Sequence, residues 1–449
     1  MEISKTVAYR IYQLKKEKKA ILFNCNSRKY MFLEGLSAEL LELLLKENAV
    51  ELDNWLKTNE LKTEDVEEFK KQLEIFISAN VARKQNFSGE SIENKKPEDN
   101  AVLSRFIEEL HKNGLYHNFH IDLTNKCNEK CVHCYHPFET YQYSKELNTE
   151  EVKALVDMIY DMGVFHVILS GGEALLRRDI FEILEYISQK KMLISLFTNG
   201  MLLTEDVVKQ LGGYRIKEVS ISLYSDIEKE HDLITTVQGS YSRTMNGIKF
   251  LKKYHIPFEL KCVVLKQNIG RIEKIRSFLE ELNDGKPCKI DFSLCGKVDG
   301  CCDVFAYMPD EKDVQQVFFS NPQRYIGKKE LLRRSLEQSP CGAGRYGLYC
   351  SAEGNIYPCV SFRLLLCHYT ELPSIAENPV LKQWLNTKIK DFSECFKHSY
   401  CEYCTEQCAG NNLIENGDYL NSNIQHCNHA KLIEKWFVEH DAEGGDIYG

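Results

Sequence analysis

The chain has 449 residues, a formal net charge of −9 and 18 cysteines. The length allows two or three domains, each with its own core, and the acidic balance leaves no basic stripe for a nucleic-acid partner. No apolar run reaches the roughly 20 residues of a membrane span, and the N-terminus, MEISKTVAYRIYQLKKEKK, lacks a signal-peptide core. The expectation is a soluble, cytoplasmic protein with neither a membrane nor a nucleic-acid partner. In that compartment cysteines are seldom disulfides, so metal or cluster ligation is the better default; Cys25, Cys262 and Cys288 read more simply as small buried hydrophobes.

In residues 1–84, AYRIYQL, KAILFN and KYMFLEG alternate as short strands do. SAELLELLLKEN opens on Ser37 as an N-cap and carries leucines at helical spacing, and LKTEDVEEFKKQLEIFISANV adds an amphipathic helix. Strands with three short helices at this size predict a winged-helix domain. Residues 85–101 are polar and aperiodic, a linker that leads into a bridging helix within 85–115.

From 116 to about 295, HNFHIDL, FHVILS, LISLFT, EVSISLY, FELKCVV and KIDFSL alternate with helical segments such as TEEVKALVDMIYDMG and IEKIRSFLEELN. This pattern predicts parallel pairing with right-handed crossovers: an α/β fold with a partial (βα)6 TIM-like barrel over 116–320, whose functional residues lie at the C-terminal strand ends. Within 321–449, the stretch from about 340 to 430 is loop-rich and cysteine-dense. It is expected to bury too little apolar surface alone and to need inorganic staples.

LTNKCNEKCVHCYHP places Cys127, Cys131 and Cys134 directly after the first barrel strand. A mononuclear zinc site takes four protein ligands, or three and a water. A cubane [4Fe–4S] cluster takes one thiolate per iron, so three cysteines leave one iron open to a small chelating molecule. Cx3Cx2C at this position resembles the radical S-adenosylmethionine (SAM) superfamily. The resemblance implies a cluster on these three residues whose unique iron binds SAM. Reductive cleavage then yields methionine and a 5′-deoxyadenosyl radical that removes a hydrogen from substrate. In HVILSGGEALL, Ser170, Gly171, Gly172 and Glu173 end the second strand and match the family's GGE motif. This implies that the edge binds the SAM amino group, with Glu173 as an anchor. Asn199, in SLFTNG, and Ser222, in SISLYSD, would face the barrel mouth where the family places polar contacts to SAM, and Asn268, in VVLKQN, is a candidate of the same kind. The competing readings are a zinc site with His133 or His136 as fourth ligand, turn capping for Asn199 and Ser222, and surface solvation for Arg243, which could otherwise reach the SAM carboxylate.

A second constellation comprises Cys341, Cys359, Cys401, Cys404, Cys408 and Cys427, with Gly354 four residues before Cys359. It resembles the SPASM extension, which implies one or two auxiliary [4Fe–4S] clusters. The usual run is CxxC, five residues, Cys, three residues, Cys; here three residues separate Cys404 from Cys408, and Asn412 stands where a final cysteine is expected. Aligned so, Cys401, Cys404, Cys408 and Cys427 complete one cluster. Cys341 and Cys359 must recruit Cys350, Cys395 or an outside ligand, or leave an iron open. Zinc knuckles also use CxxC pairs.

A winged helix ahead of such an enzyme resembles the RiPP recognition element, which implies leader binding by β-augmentation. Together the resemblances imply a radical SAM peptide maturase acting on a ribosomally made precursor, supplied with electrons by a reductase with flavodoxin or by a ferredoxin. A thioether cross-link is the first expectation, and a carbon–carbon link comes next. The alternatives are a protein oxidase of the anaerobic sulfatase-maturating type and a zinc-stapled winged-helix regulator. No catalytic acid or base can be named from the sequence.

Overall fold

The computed structural model describes residues 5–15, 17–79, 97–135, 145–292, 304–326, 336–392, 397–404, 408–422 and 424–441. Strands β1 (Val7–Gln13), β2 (Lys18–Asn24) and β3 (Lys29–Glu34) form an antiparallel meander with β2 in the middle. Helices α1 (Leu36–Lys46), α2 (Ala49–Thr58) and α3 (Thr63–Ser78) follow. The start of α1 differs from expectation: Gly35, at φ 54, occupies the cap and Ser37 lies inside the first turn. A left-handed glycine turns the chain out of β3 at once, which leaves no extended position for a serine cap.

Both faces of this small sheet are buried. Val7, Ala20 and Leu22 pack on Ala38, Leu41 and Leu73 of α1 and α3. The alternate residues Ala8, Tyr12, Ile21 and Phe23 pack on Phe106 and Leu110 of α4 (Pro97–Lys112), and on Phe165 and Leu193 at the base of the barrel. The helix α4 therefore begins within the stretch expected to be linker.

The six expected barrel strands are present in order: β4 (Asn118–Asp122), β5 (His166–Ser170), β6 (Leu193–Thr198), β7 (Ile216–Ser222), β8 (Phe258–Val263) and β9 (Lys289–Asp291). All neighbours among them pair in parallel. The connections carry α5 (Thr149–Asp161), α6 (Ile180–Gln189), α7 (Glu205–Leu211), α8 (Glu228–Thr235), α9 (Ser240–Lys253) and α10 (Ile272–Leu282). Outward strand residues such as Phe119, Ile121, Val167, Leu169, Val219 and Leu260 meet these helices in one core.

The sheet does not stop at the boundary expected near residue 320. After α11 (Glu311–Ser320) and α12 (Pro322–Tyr325), strand β10 (Gly347–Cys350) pairs in parallel with β4, and β11 (Asn355–Tyr357) and β12 (Cys367–His368) continue antiparallel beyond it. The remaining helices are α13 (Pro379–Asn386), α14 (Ala409–Asn416) and α15 (Ile424–Asp441). Leu348, Phe362, Trp384, Phe392 and Trp436 join the barrel's own core. The cysteine-rich region thus obtains its apolar burial by packing on the barrel, in keeping with the expectation that it buries too little by itself. Among the described residues no helix is long and apolar enough to cross a membrane.

Candidate active site

The three-cysteine loop leaves the C-terminal end of β4 and is fastened on both flanks. On one side it extends the sheet toward the GGE stretch: Leu123 N–H donates to Ser170 O (2.9 Å), Gly172 N–H to Thr124 O (2.8 Å) and Glu173 N–H to Lys126 O (2.8 Å). On the other side Lys130 and Val132 donate to Thr235 O (3.1 Å) and Ile234 O (2.9 Å) at the end of α8. The approach explains the glycines. Gly171 sits at φ +132, and a Cβ there would lie 2.3 Å from Thr124 O; one on Gly172 would lie 2.4 Å from Lys126 O. The backbone that comes close is the cysteine loop itself.

Cys127, Cys131 and Cys134 are all half-buried. Burial pushes the Cys127 thiol up to about 12 and the Cys131 thiol well above its usual range, so both need a nearby cation to become thiolates. Glu129, 3% exposed, bonds Cys131 Sγ through Oε2, while its Oε1 has no hydrogen-bond partner among the described residues. Burial lifts its carboxyl to about 7. Among the described residues no three His, Cys, Asp or Glu side chains close on one point as a single ion would require; a cubane takes its thiolates at separate corners. Three half-buried thiols and an orphaned buried acceptor fit such a group. His133 packs its ring edge-on against Tyr224 at 4.7 Å; His136 lies outside the described residues.

The other predicted residues separate by role. Asn199 reaches the loop, its Nδ2 donating to Asn128 Oδ1 at 2.7 Å and lying 3.9 Å from Cys127 Sγ. Glu173 is engaged within the chain: its carboxylate accepts from Leu175 N (3.0 Å), Thr198 Oγ1 (2.9 Å) and Asn199 N (2.8 Å). Ser170 is buried beside the loop, and Ser222, half-buried at the end of β7, bonds the Tyr224 hydroxyl. Asn268 is fully buried, and its amide bonds Leu265 N, Tyr224 O and Val263 O, which makes it a staple of the β8 loop with nothing left for SAM. Arg243 folds back on Gly239 O and Gln238 O at the surface.

The later cysteines fall into two neighbourhoods. Cys359 is half-buried; burial pushes its thiol up to about 12, and the charges of Cys408 and Cys341 act in the same direction. The turn Ser399–Tyr403, which carries Cys401 and leads to Cys404, lies against α15, the helix of Cys427: Tyr403 stacks on Phe437 at 5.6 Å and Lys431 Nζ lies 5.2 Å over the Tyr400 ring. Cys408 thus acts on Cys359, whereas the spacing groups it with Cys401, Cys404 and Cys427. Cys350 is fully buried on the helix side of β10, among apolar residues; Cys395 lies outside the described residues.

Sequence reasoning missed the barrel interior. His120 and Asp122 alternate with the outward Phe119 and Ile121 of β4. Tyr349 of β10 donates its hydroxyl to Asp122 Oδ2 at 2.5 Å, and the His120 ring meets Tyr349 (5.3 Å) and Phe197 (5.7 Å). Lys261 of β8 lies 3.7 Å over Phe197 and pairs with Glu259 at 3.0 Å. A closed barrel is filled by layers of Val, Ile and Leu; polar strand residues recurring on the inward register were the signal.

A partial parallel barrel with three thiols on the loop after its first strand defines a class of enzyme. Residues 121–279 match the family described as the radical SAM superfamily, and the chain is a radical SAM enzyme, with SAM and a [4Fe–4S] cluster as its cofactors. It is 29% identical over 330 residues to the AdoMet-dependent heme synthase of Methanosarcina barkeri, covering 67% of this chain and 93% of that one. Likewise it is 27% identical to the antilisterial bacteriocin subtilosin biosynthesis protein AlbA of Bacillus subtilis, over 69% of this chain and 70% of that protein. Its fold is similar to that of Streptococcus suis SuiB bound to the precursor peptide SuiA, with TM-score 0.54 and 19% identity, over 95% of this chain and 99% of that one.

Proposed function

We propose that this enzyme is a peptide maturase that installs a cross-link in a ribosomally made precursor. One observation carries the reading. The β1–β2–β3 sheet is fixed to the barrel through β1, whose Tyr9 N–H donates to Lys191 O at 3.1 Å, while β3 pairs with β2 alone among the described strands. An exposed strand edge is a template for an extended peptide, here on the unit that precedes a radical enzyme. The likeness to AlbA and to the SuiB fold supports the same substrate class. In this reading residues 1–84 act as a winged-helix, leader-binding element and residues 321–449 as a SPASM domain.

Cys127, Cys131 and Cys134 hold the cluster that binds SAM. Together cluster and SAM supply a reductively generated 5′-deoxyadenosyl radical. Gly171 and Gly172 keep the loop close to β5, and Asn199 braces it beside Cys127. Glu129 presents a buried acceptor to the same space. Cys341, Cys359 and Cys408 serve one auxiliary cluster, and Cys401, Cys404 and Cys427 serve the other. A flavodoxin or ferredoxin delivers the electron. Each thioether replaces one C–H and one S–H by a C–S bond: the first hydrogen leaves on 5′-deoxyadenosine, the second as a proton whose electron an auxiliary cluster would accept, so the peptide loses two hydrogens per link.

The test is anaerobic reconstitution with dithionite, SAM and the cysteine-containing peptide encoded by a short reading frame beside the gene. Production of 5′-deoxyadenosine together with a peptide lighter by two hydrogens supports the reading. The relatives named as a heme synthase and an Fe-coproporphyrin III synthase make tetrapyrrole chemistry the competing reaction; turnover of Fe-coproporphyrin III with no change in the peptide would replace peptide cross-linking by that reaction. A thioether is distinguished from a carbon–carbon link by whether the peptide's cysteine still alkylates. Zinc without iron or sulfide in the purified protein would favour the winged-helix regulator. Amide hydrogen exchange locates the leader: added peptide should protect β3, and an unchanged β3 rejects edge binding.

A further inference from the structure

Arg363 lies four residues beyond Cys359 and points into the barrel, where no role has yet been given to it. Its guanidinium carbon lies 4.2 Å over the Tyr349 ring and 5.3 Å from that of Tyr357. The charge of Asp122 acts on it, as does Tyr135, the residue after Cys134. It therefore stands between the loop of the SAM cluster and the neighbourhood of Cys359. Nε of Arg363 and Nε2 of His120, both buried, are N–H positions of this cluster with no hydrogen-bond partner among the described residues. The latter lies 3.5 Å from Asp122 Oδ1, beyond a good hydrogen bond.

A buried N–H without an acceptor is costly unless a ligand completes it. The charges of the chamber narrow the class of that ligand. Asp122 offsets Arg363, and Glu259 offsets Lys261 across the Phe197 ring. A carboxylate entering here would bring an uncompensated charge into a buried space. A neutral oxygen acceptor would bring none.

We propose that Arg363 is a substrate-binding residue whose Nε–H donates to a backbone carbonyl of the peptide next to the residue that is modified, with Tyr349 and Asp122 fixing the guanidinium plane. The inference rests on the peptide reading above and adds the atom that is recognised. Tyr349 stacks beneath Arg363 and holds Asp122, so the guanidinium presents its open edge in one orientation.

The experiment uses the reconstituted full-length enzyme and the same cysteine-containing peptide. Arg363→Gln should raise KM for the peptide about tenfold or more, the worth of one well-placed hydrogen bond to a charged group. KM for SAM and iron content should stay within about twofold, a reference that a merely structural loss would not respect. A second peptide carries a reduced amide, with CH2 in place of the carbonyl before the modified residue. Wild type should discriminate against it by about tenfold or more, and Arg363→Gln should erase that discrimination. An unchanged peptide KM, a parallel loss of SAM binding and iron, or discrimination that survives in Arg363→Gln each overturns the inference. If wild type cleaves SAM yet leaves the peptide unmodified, the peptide reading itself has failed and this subsite falls with it.

Discussion

Glu173 and Asn199 are 26 positions apart, and the carboxylate of the first accepts the backbone N–H of the second at 2.8 Å. With the Thr198 hydroxyl bonded to both carboxylate oxygens at 2.9 Å, this buried residue ties the ends of β5 and β6 together beside the cysteine loop. Glu173→Gln keeps the shape but turns an amide N–H toward donors. The expected loss is about 2–3 kcal/mol of stability, read as a lower denaturant midpoint, with weaker cluster retention. A midpoint equal to wild type would show that the carboxylate is dispensable to the strand junction.

Gly171→Ala adds a Cβ 2.3 Å from Thr124 O, at φ +132. Backbone on both sides leaves little room to yield, so the loop must move; the cost is several kcal/mol, and reconstituted protein should hold clearly less iron per chain. Gly239→Ala is the matched control: φ is +76, but nothing lies within 4 Å of the added atom, so about 1 kcal/mol is lost. Equal iron in both variants would mean that the close approach does not matter.

Removing residues 1–84 is expected to damage the barrel as well as peptide binding. Phe165 and Leu193, both fully buried, would lose Ala8, Tyr12 and Phe23 from their shared core. Arg215, 4% exposed, would lose the Val7 carbonyl that its Nε meets at 2.8 Å. Exposing two such apolar side chains costs about 2 kcal/mol each. The truncated chain should aggregate or melt well below wild type; full solubility with an unchanged melting point would contradict the shared core.

Acid should destabilise the fold through its buried histidines. Burial pushes His117 down to about 3 and His231 to about 4, and His231 Nδ1 accepts the Tyr224 N–H at 3.2 Å, as only a deprotonated nitrogen can. Free histidines titrate near 6.5. Below that value the unfolded chain takes up protons that the folded one refuses, so stability present above pH 6.5 is lost as pH falls toward 4. By pH 5 each residue contributes a loss of up to about 2 kcal/mol. Denaturant midpoints at pH 7.5 and pH 5 measure it, and His117→Phe should flatten the slope if it folds. A pH-independent midpoint would mean that these rings are charged when folded.

Cys408→Ala should remove about four irons per chain, one cubane's worth, from the neighbourhood of Cys341 and Cys359. Cys350→Ala should leave iron unchanged and lose only the small packing contribution of a buried thiol. Iron lost in Cys350→Ala as well as in Cys408→Ala would restore the grouping read from spacing, in which Cys408 completes the other cluster and Cys341 and Cys359 recruit Cys350.

The six barrel strands and the cysteine loop were legible because strand alternation and Cx3Cx2C are local signals. β10 was not, since four residues, GLYC, carry no periodicity and their partner is β4, far earlier in the chain. Asn268 was misread for a related reason: an asparagine at a strand end looks the same whether it bonds a ligand or, as here, three backbone groups. Gly171 and Gly172 read as a SAM-binding edge, and only tertiary structure shows that the segment pressed against them is the cysteine loop. Cys408 is grouped by counting residues, and spacing alone does not show that its charge also reaches Cys359. Arg363 lacks any motif, and only the Tyr349–Asp122 pair beneath it makes the position distinctive.

Tyr349 and Asp122 are 227 positions apart, which sets an order on biosynthesis. The ribosome releases the three thiols of the first loop long before it has made the wall that flanks them. Until β10 arrives, the nascent chain displays an open sheet edge and oxygen-sensitive sulfurs together, and long-range parallel pairing is slow to form. Completion of the wall beside that loop is thereby deferred until Gly347–Cys350 have been made.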